Sequence, residues 1–260
     1  MEAMAHPAPP AGPQPVETGV ALSVVIPVKD EVENLLALHE RVTRALSAQA
    51  SWELILVDDG STDGSSEAIG ELARRDARVR GVYFEYNCGQ TTATRHGILE
   101  ARGTLLVTLD ADLQNDPADI PALLAALGEH DAVVGYRLKR NDNFVRRASS
   151  RFANAVRNWI SGDDIRDTGC SLKLFRTEAI RSIPLFEGMH RFLPTLLRYH
   201  GFSVVEHPVS HHPRTAGTSK YGVKNRAWRA FKDLLAVRWM RSRIVRAPVV
   251  KVDPPEPTDP

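Results

Sequence analysis

LSVVIPVKDEVENLLALHERVTRALSAQASWELILVDDGSTDGSSEAIGELARR, residues 22–75, sets the fold class. Leu22–Val28 is a short unbroken apolar run, the pattern of a strand buried on both faces. Residues 31–47 follow with Leu35, Leu36, Leu38, Val42 and Leu46 near helical spacing. Leu54–Val57 is a second strand, it ends in Asp58-Asp59-Gly60-Ser61, and a second helix is expected over 64–75. The alternation continues with a strand at 79–84 and a helix near 90–101. A fourth strand at 104–109 then leads to a helix at 117–127, with Pro117 suited to a first turn. A fifth strand falls at 132–135. Successive βα units argue for an α/β fold with a doubly wound, mostly parallel sheet. Such sheets bind ligands beyond the carboxyl ends of their strands. The polar clusters at 58–63, 110–116 and 135–137 all follow strand ends, the layout of a nucleotide site.

Beyond Arg137 the rhythm weakens. A helix is expected over 144–160, a strand over 171–175, a helix over 190–200, an extended segment at 203–207 and a long basic helix over 221–243. Residues 1–20 and 248–260 each hold five prolines and no periodic apolar pattern, so both are expected to be disordered tails. The expected organisation is one domain over 21–220, with a nucleotide half (21–137) and an acceptor half (138–220). A basic amphipathic helix at 221–247 would lie on a membrane surface.

The formal charge of +1 across 260 residues gives no reason to expect nucleic acid. Charge is local instead: residues 220–246 hold nine Lys or Arg and one acid, Asp233, which implies an anionic partner. Cys88 and Cys170 form no paired framework and fit a reduced compartment. No basic segment followed by an apolar one opens the chain, so no secretory signal is expected. No stretch approaches the roughly 18–20 apolar residues of a membrane-spanning helix. The expectation is a peripheral protein at the cytoplasmic face of the inner or plasma membrane.

Asp110-Ala111-Asp112-Leu113-Gln114 is the sharpest motif. If the chain stays extended after the fourth strand, positions 110, 112 and 114 point to one side. Three oxygen-bearing side chains there suit Mg²⁺ or Mn²⁺, which can neutralise a diphosphate leaving group. The competing reading is a polar turn that caps the next helix. Asp58-Asp59-Gly60-Ser61-Thr62-Asp63 has two readings as well: carboxylates for ribose or base, or ordinary turn chemistry. Neither G-x-G-x-x-G nor a P-loop motif occurs. His211-His212 lacks the helical spacing of a zinc site, Cys170 reads as packed, and Trp52 and Trp159 read as core or interface aromatics.

Together, VVIPVKDEVENL (24–35), VDDGSTDGS (57–65), TLDADLQNDPADIP (108–121) and GYR (135–137) resemble the family 2 glycosyltransferases. DTGCSLKLFR (167–176) and HHPRTAGTSKYG (211–222) narrow the resemblance to the polyprenyl-phosphate branch. That branch includes dolichol-phosphate mannose synthases and undecaprenyl-phosphate glucosyl and aminoarabinosyl transferases. The resemblance covers about 22–240 and implies a GT-A type sheet with a C-terminal amphipathic helical extension. It implies nucleotide contacts at Pro27, Val28, Glu31, Asp58, Asp59, Asp110 and Ala111, and a metal and diphosphate site at Asp110, Asp112 and Gln114. It implies donor and acceptor phosphate contacts at Arg137, Arg146, Arg147, Ser150, Arg214, Ser219 and Lys220. Catalytic roles fall to Asp112, Arg214, Lys220 and Asp167, although the segment reads Asp-Thr-Gly-Cys where the family has a DxxSG-like pattern. Many bacterial relatives carry two transmembrane helices after the SKY segment, and this chain stops before them.

A nucleotide-sugar donor and a polyprenyl-phosphate acceptor are the implied partners, with an anionic membrane surface and a second copy of the chain or a membrane protein as companions. A phosphate monoester has a second pKa near ~6 and is a nucleophile that needs little general-base help. Arg and Lys supply the charge balance it does need. A soluble transferase acting on a glycan or protein hydroxyl is the rival, and there Asp167 would serve as base. A non-catalytic nucleotide-sugar-binding protein is a rival of another class. In the basic helix, Val223, Ala227, Phe231, Leu234, Leu235 and Val237 are expected on one stripe facing lipid, or else packing on the domain.

Overall fold

The computed structural model describes residues 19–137, 160–213 and 223–244, with side chains from 231 onward in the last segment. Seven strands form one sheet: β1 (Leu22–Val28), β2 (Trp52–Asp58), β3 (Val79–Tyr83), β4 (Leu105–Thr108), β5 (Ala132–Arg137), β6 (Lys173–Arg176) and β7 (Val204–Val209). Their order is β3-β2-β1-β4-β6-β5-β7. All pairings are parallel except those of β6, which runs antiparallel between β4 and β5. The doubly wound, mostly parallel expectation holds, and β6 and β7 join the same sheet as β1–β5.

The helices are α1 (Val32–Ala45), α2 (Ser65–Arg75), α3 (Gln90–Glu100), α4 (Ile120–Leu127), α5 (Thr177–Arg181), α6 (Leu193–Tyr199) and α7 (Val223–Arg241). Side-chain alternation along the strands divides the core into two layers. Val24, Ile26, Leu54 and Leu56 pack with Leu35, Leu38 and Val42 of α1, Ile69 of α2 and Leu123 of α4. Val25, Ile55 and Val57 face the other way, with Ala93 and Ile98 of α3, Ile180 of α5, Leu196 of α6 and Val237 of α7. Leu36 lies off the buried stripe of α1 and is 56% exposed. The helix expected over 117–127 begins as a 3-10 turn at Pro117–Asp119, with the Asp116 carboxylate accepting from the Ala118 amide.

From β1 the chain winds outward through β2 to β3, then returns through α3 to place β4 on the other side of β1. The crevice of a doubly wound sheet opens at such a reversal. The loops after β1, β2 and β4 therefore meet at one edge of the sheet.

From residue 231 onward, the apolar residues of α7 do not form one stripe. Leu234 and Val237 are buried in the core at 6% and 0% exposure. Phe231, Leu235 and Trp239 are exposed at 42%, 46% and 62%. Positions 231, 235 and 239 recur every four residues and share a face, while 234 and 237 lie about 100° and about 160° from the middle of that face.

Candidate active site

The loops after β1 and β2 are stitched together. The Asp30 amide donates to Ser61 Oγ (2.9 Å), the Thr62 amide to Asp30 Oδ1 (2.8 Å), and the Glu31 amide to Ser65 Oγ (3.0 Å). The Val32 amide at the start of α1 donates to Asp63 Oδ2 (3.0 Å). Gly60 has φ 65°, and a Cβ there would lie 2.5 Å from the Tyr86 carbonyl carbon. Only glycine fits this close approach.

Asp58 and Asp59 are buried at this edge, at 1% and 3% exposure. Asp58 accepts from the Ser61 amide (2.9 Å) and from the Ser66 hydroxyl. Asp59 accepts from the amides of Cys88 (2.6 Å) and Gly89 (3.0 Å) just before α3. Burial raises the Asp59 carboxyl above its ordinary range, against the pull of those two amides. Turn chemistry thus engages both carboxylates, and their further lone pairs are what a nucleotide could use. Pro27 is half-buried near the end of β1, Val28 lies in its core, and Glu31 accepts from the Asn34 side chain (2.6 Å).

The chain is not extended through 110–114, which corrects the alternation argument. β4 ends at Thr108, and residues 110–113 form a turn in which Leu113 has φ 58° and sits in the core. Burying Leu113 bends the chain here, so strand pleating does not set the directions of the acidic side chains. Asp110 Oδ1 accepts from Gln90 Nε2 of α3 (2.9 Å). Asp112 is 8% exposed, and its Oδ1 accepts from the Gln114 amide (3.2 Å). Ala111 is buried between them. Among the described residues no three His, Cys, Asp or Glu side chains gather into a protein-only metal cage. Two carboxylates on one short turn still fit Mg²⁺ or Mn²⁺, which commonly complete their coordination with substrate phosphates and water.

Arg137 and Asp167 meet in a two-point contact of 2.6 and 2.8 Å. Burial works against the Arg137 charge, but Asp167, helped by Cys170 and Asp110, offsets this and raises its pKa. Nε and Nη2 of the guanidinium are therefore engaged within the protein. Arg146, Arg147, Ser150, Arg214, Ser219 and Lys220 lie outside the described residues. The segment leading to Arg214 is tied to the acidic turn: the His212 amide donates to the Gln114 carbonyl (2.8 Å), and Asn115 bridges to His211. A cavity of about 720 Å³ lies against this region, lined by Arg41, Arg44, Leu113, Asp116 and His212 among others, but by neither Asp110 nor Asp112.

Sequence reasoning missed Gln90, Asn115, Ser171 and Lys173. Lys173 on β6 is 3% exposed, lies in register with Thr108, and donates to the Cys170 carbonyl. Burial lowers its pKa, while Cys170, Asp110 and Asp167 pull the other way. A lysine inside the apolar run LKLF was its signal, since lysine is rarely buried without a partner. Nothing local marked Ser171.

Acidic turns after β2 and β4 flank the reversal of strand order, the place where doubly wound α/β proteins bind their ligands. The chain belongs to Glycosyl transferase family 2, whose family model matches residues 23–183. It is 42% identical over 230 residues to a dodecaprenyl-phosphate galacturonate synthase of Rhizobium johnstonii, across 86% of this chain and 68% of that one. It is 38% identical to an undecaprenyl-phosphate 4-deoxy-4-formamido-L-arabinose transferase of Edwardsiella ictaluri, across 78% of this chain and 63% of that one. The chain thus spans about two thirds of the length of these relatives. Glucosyl-3-phosphoglycerate synthase from Mycobacterium tuberculosis, solved with Mn²⁺, UDP and phosphoglyceric acid, shares the fold. Its TM-score is 0.65 at 17% identity, over 89% of this chain and 81% of that one.

Proposed function

We propose that this chain transfers a sugar, with inversion, from a nucleotide diphosphate donor (a UDP-sugar or GDP-mannose) to a polyprenyl phosphate. The product would be a lipid-linked monosaccharide for envelope or protein glycosylation. The observation that carries this reading is the 42% identity to a dodecaprenyl-phosphate galacturonate synthase across 86% of the chain, with Asp110 and Asp112 intact at the sheet edge. Asp110 and Asp112, with Gln114, would hold Mg²⁺ or Mn²⁺, which supplies charge neutralisation for the departing diphosphate. Gln90 orients Asp110, and the Gln114 amide orients Asp112. Pro27, Val28, Glu31, Asp58, Asp59 and Ala111 would line the nucleotide pocket.

Arg214 and Lys220, with Arg146, Arg147, Ser150 and Ser219, would balance the two phosphate groups as the acceptor oxygen attacks the anomeric carbon. A phosphate oxygen needs no base, and the bidentate Arg137–Asp167 pair supports this reading over a hydroxyl acceptor. A carboxylate held by two charged hydrogen bonds is a poor proton acceptor. Arg137 would then contribute through Asp167 and the local field.

The working place would be the cytoplasmic face of an anionic membrane, reached peripherally. Among the described residues no helix is long and apolar enough to cross a membrane. Phe231, Leu235 and Trp239 on the exposed side of α7, beside Lys232, Arg238 and Arg243, fit an interfacial helix. A second copy or a membrane protein could share that surface. The test is a donor screen with purified protein, undecaprenyl phosphate and Mg²⁺ or Mn²⁺, with Arg214→Ala and Lys220→Ala as controls. Transfer that ignores added polyprenyl phosphate would reject the acceptor.

A further inference from the structure

We propose that Ser171 is a positioning residue for the metal turn, its hydroxyl clasping both ends of the 110–115 loop. The inference rests on the reading of Asp110 and Asp112 as metal ligands. Ser171 Oγ accepts from the Asp110 amide at one end of the loop (3.2 Å) and from Asn115 Nδ2 at the other (2.7 Å). Its own carbonyl accepts from Thr108 Oγ1 (2.9 Å), which ties the same residue to the end of β4.

The loop needs such a restraint. It contains Leu113 in the left-handed region at φ 58°, a conformation that carries a steric cost for any residue with a Cβ. It also bends sharply enough to put Leu113 in the core while Asp110 reaches Gln90 on the opposite face of the sheet. The 211–212 segment holds the loop through the Gln114 carbonyl and the Asn115 bridge. Ser171 holds it where the first carboxylate leaves β4. Asn115 is 6% exposed, so removing the hydroxyl takes an acceptor from a buried amide.

The sheet does not depend on this hydroxyl. β6 begins at Lys173 and pairs with β4 through residues 173–176 and with β5 through residues 173–175. Loss of Oγ should therefore loosen the loop and leave the strands in place. That separates positioning from a general structural role.

The experiment compares wild type, Ser171→Ala and Ser171→Thr by hydrogen exchange and by Mn²⁺ binding in the presence of UDP, read from the electron paramagnetic resonance of the free ion. In Ser171→Ala, exchange should rise about tenfold or more over 109–116 and stay unchanged in β1, β4 and β6, and the Mn²⁺ midpoint should rise about fivefold. Ser171→Thr, which keeps the hydroxyl, should stay within about twofold of wild type. Unchanged exchange over 109–116 overturns the proposal, as does a threonine variant as impaired as the alanine one. An unmoved Mn²⁺ midpoint in Ser171→Ala, with binding lost in Asp112→Ala, overturns the clasp but leaves the metal reading standing. If Asp112→Ala also binds Mn²⁺ normally, or wild type shows no saturable binding, the metal reading falls and the proposal with it.

Discussion

Arg137 at the end of β5 and Asp167 ahead of β6 are locked together, Nε to Oδ2 at 2.6 Å and Nη2 to Oδ1 at 2.8 Å, with side chains only 15% and 17% exposed. The pair links the end of β5 to the segment that leads into β6, its antiparallel neighbour. Two residues expected to touch substrates also hold each other in place.

Asp167→Asn should therefore cost stability. Losing charged hydrogen bonds to a largely buried arginine should cost about 1.5–3 kcal/mol. For a chain of this size that lowers Tm by roughly 3–10 °C. Thermal unfolding beside initial rates separates the readings. Tm falls in either case, but a general base would lose turnover at every temperature, whereas a purely structural pair would recover much of its rate on cooling.

Asp112→Ala should lower transfer by roughly 100-fold or more, since the site would lose one of two carboxylates that balance the leaving group. Excess chelator should silence wild type, and added Mn²⁺ or Mg²⁺ should restore it. Undiminished turnover in either experiment refutes the metal assignment.

Acid stability should depend on Asp76. Its hydrogen bond from Arg78, helped by His39, holds the carboxyl well below its ordinary 3.8. A depressed folded-state pKa contributes stability above the unfolded value, and that contribution is lost as pH falls below about 3.8 toward the folded value. Arg78 is 43% exposed, so the contribution is on the order of 1 kcal/mol after solvent screening. Urea midpoints from pH 5 down to about pH 2 should fall less steeply for Asp76→Asn than for wild type. Parallel curves would contradict this.

The two sides of α7 should respond differently. Phe231→Ser with Leu235→Ser should leave Tm within a few degrees, because both residues are already exposed, yet should weaken sedimentation with anionic vesicles at low salt. High salt should weaken wild-type binding too, since each basic residue near such a surface contributes ~1 kcal/mol before screening. Leu234→Ala should instead destabilise the fold by about 2–5 kcal/mol, because its side chain is in the core. If wild type stays in the supernatant throughout, the helix meets a protein and not a bilayer.

Local pattern determined much of this molecule. β1 was legible residue for residue, because a strand buried on both faces must be apolar throughout. The strands and helices through β5 were legible to within a few residues, and the acidic turns after β2 and β4 stood out because carboxylates seldom interrupt apolar runs. What the sequence could not supply was anything that depends on which segments become neighbours. The insertion of β6 between β4 and β5 was decided by long-range pairing, and with it came Ser171 under the acidic turn, Lys173 beside Thr108 and Asp167 against Arg137. The burial of Leu113 bent a segment that strand alternation had left straight, and packing divided the apolar face of α7 into a buried and an exposed half. Period and propensity act over a few residues along the chain, whereas these contacts join residues some 30 to 60 positions apart, where only the assembled sheet sets the distance.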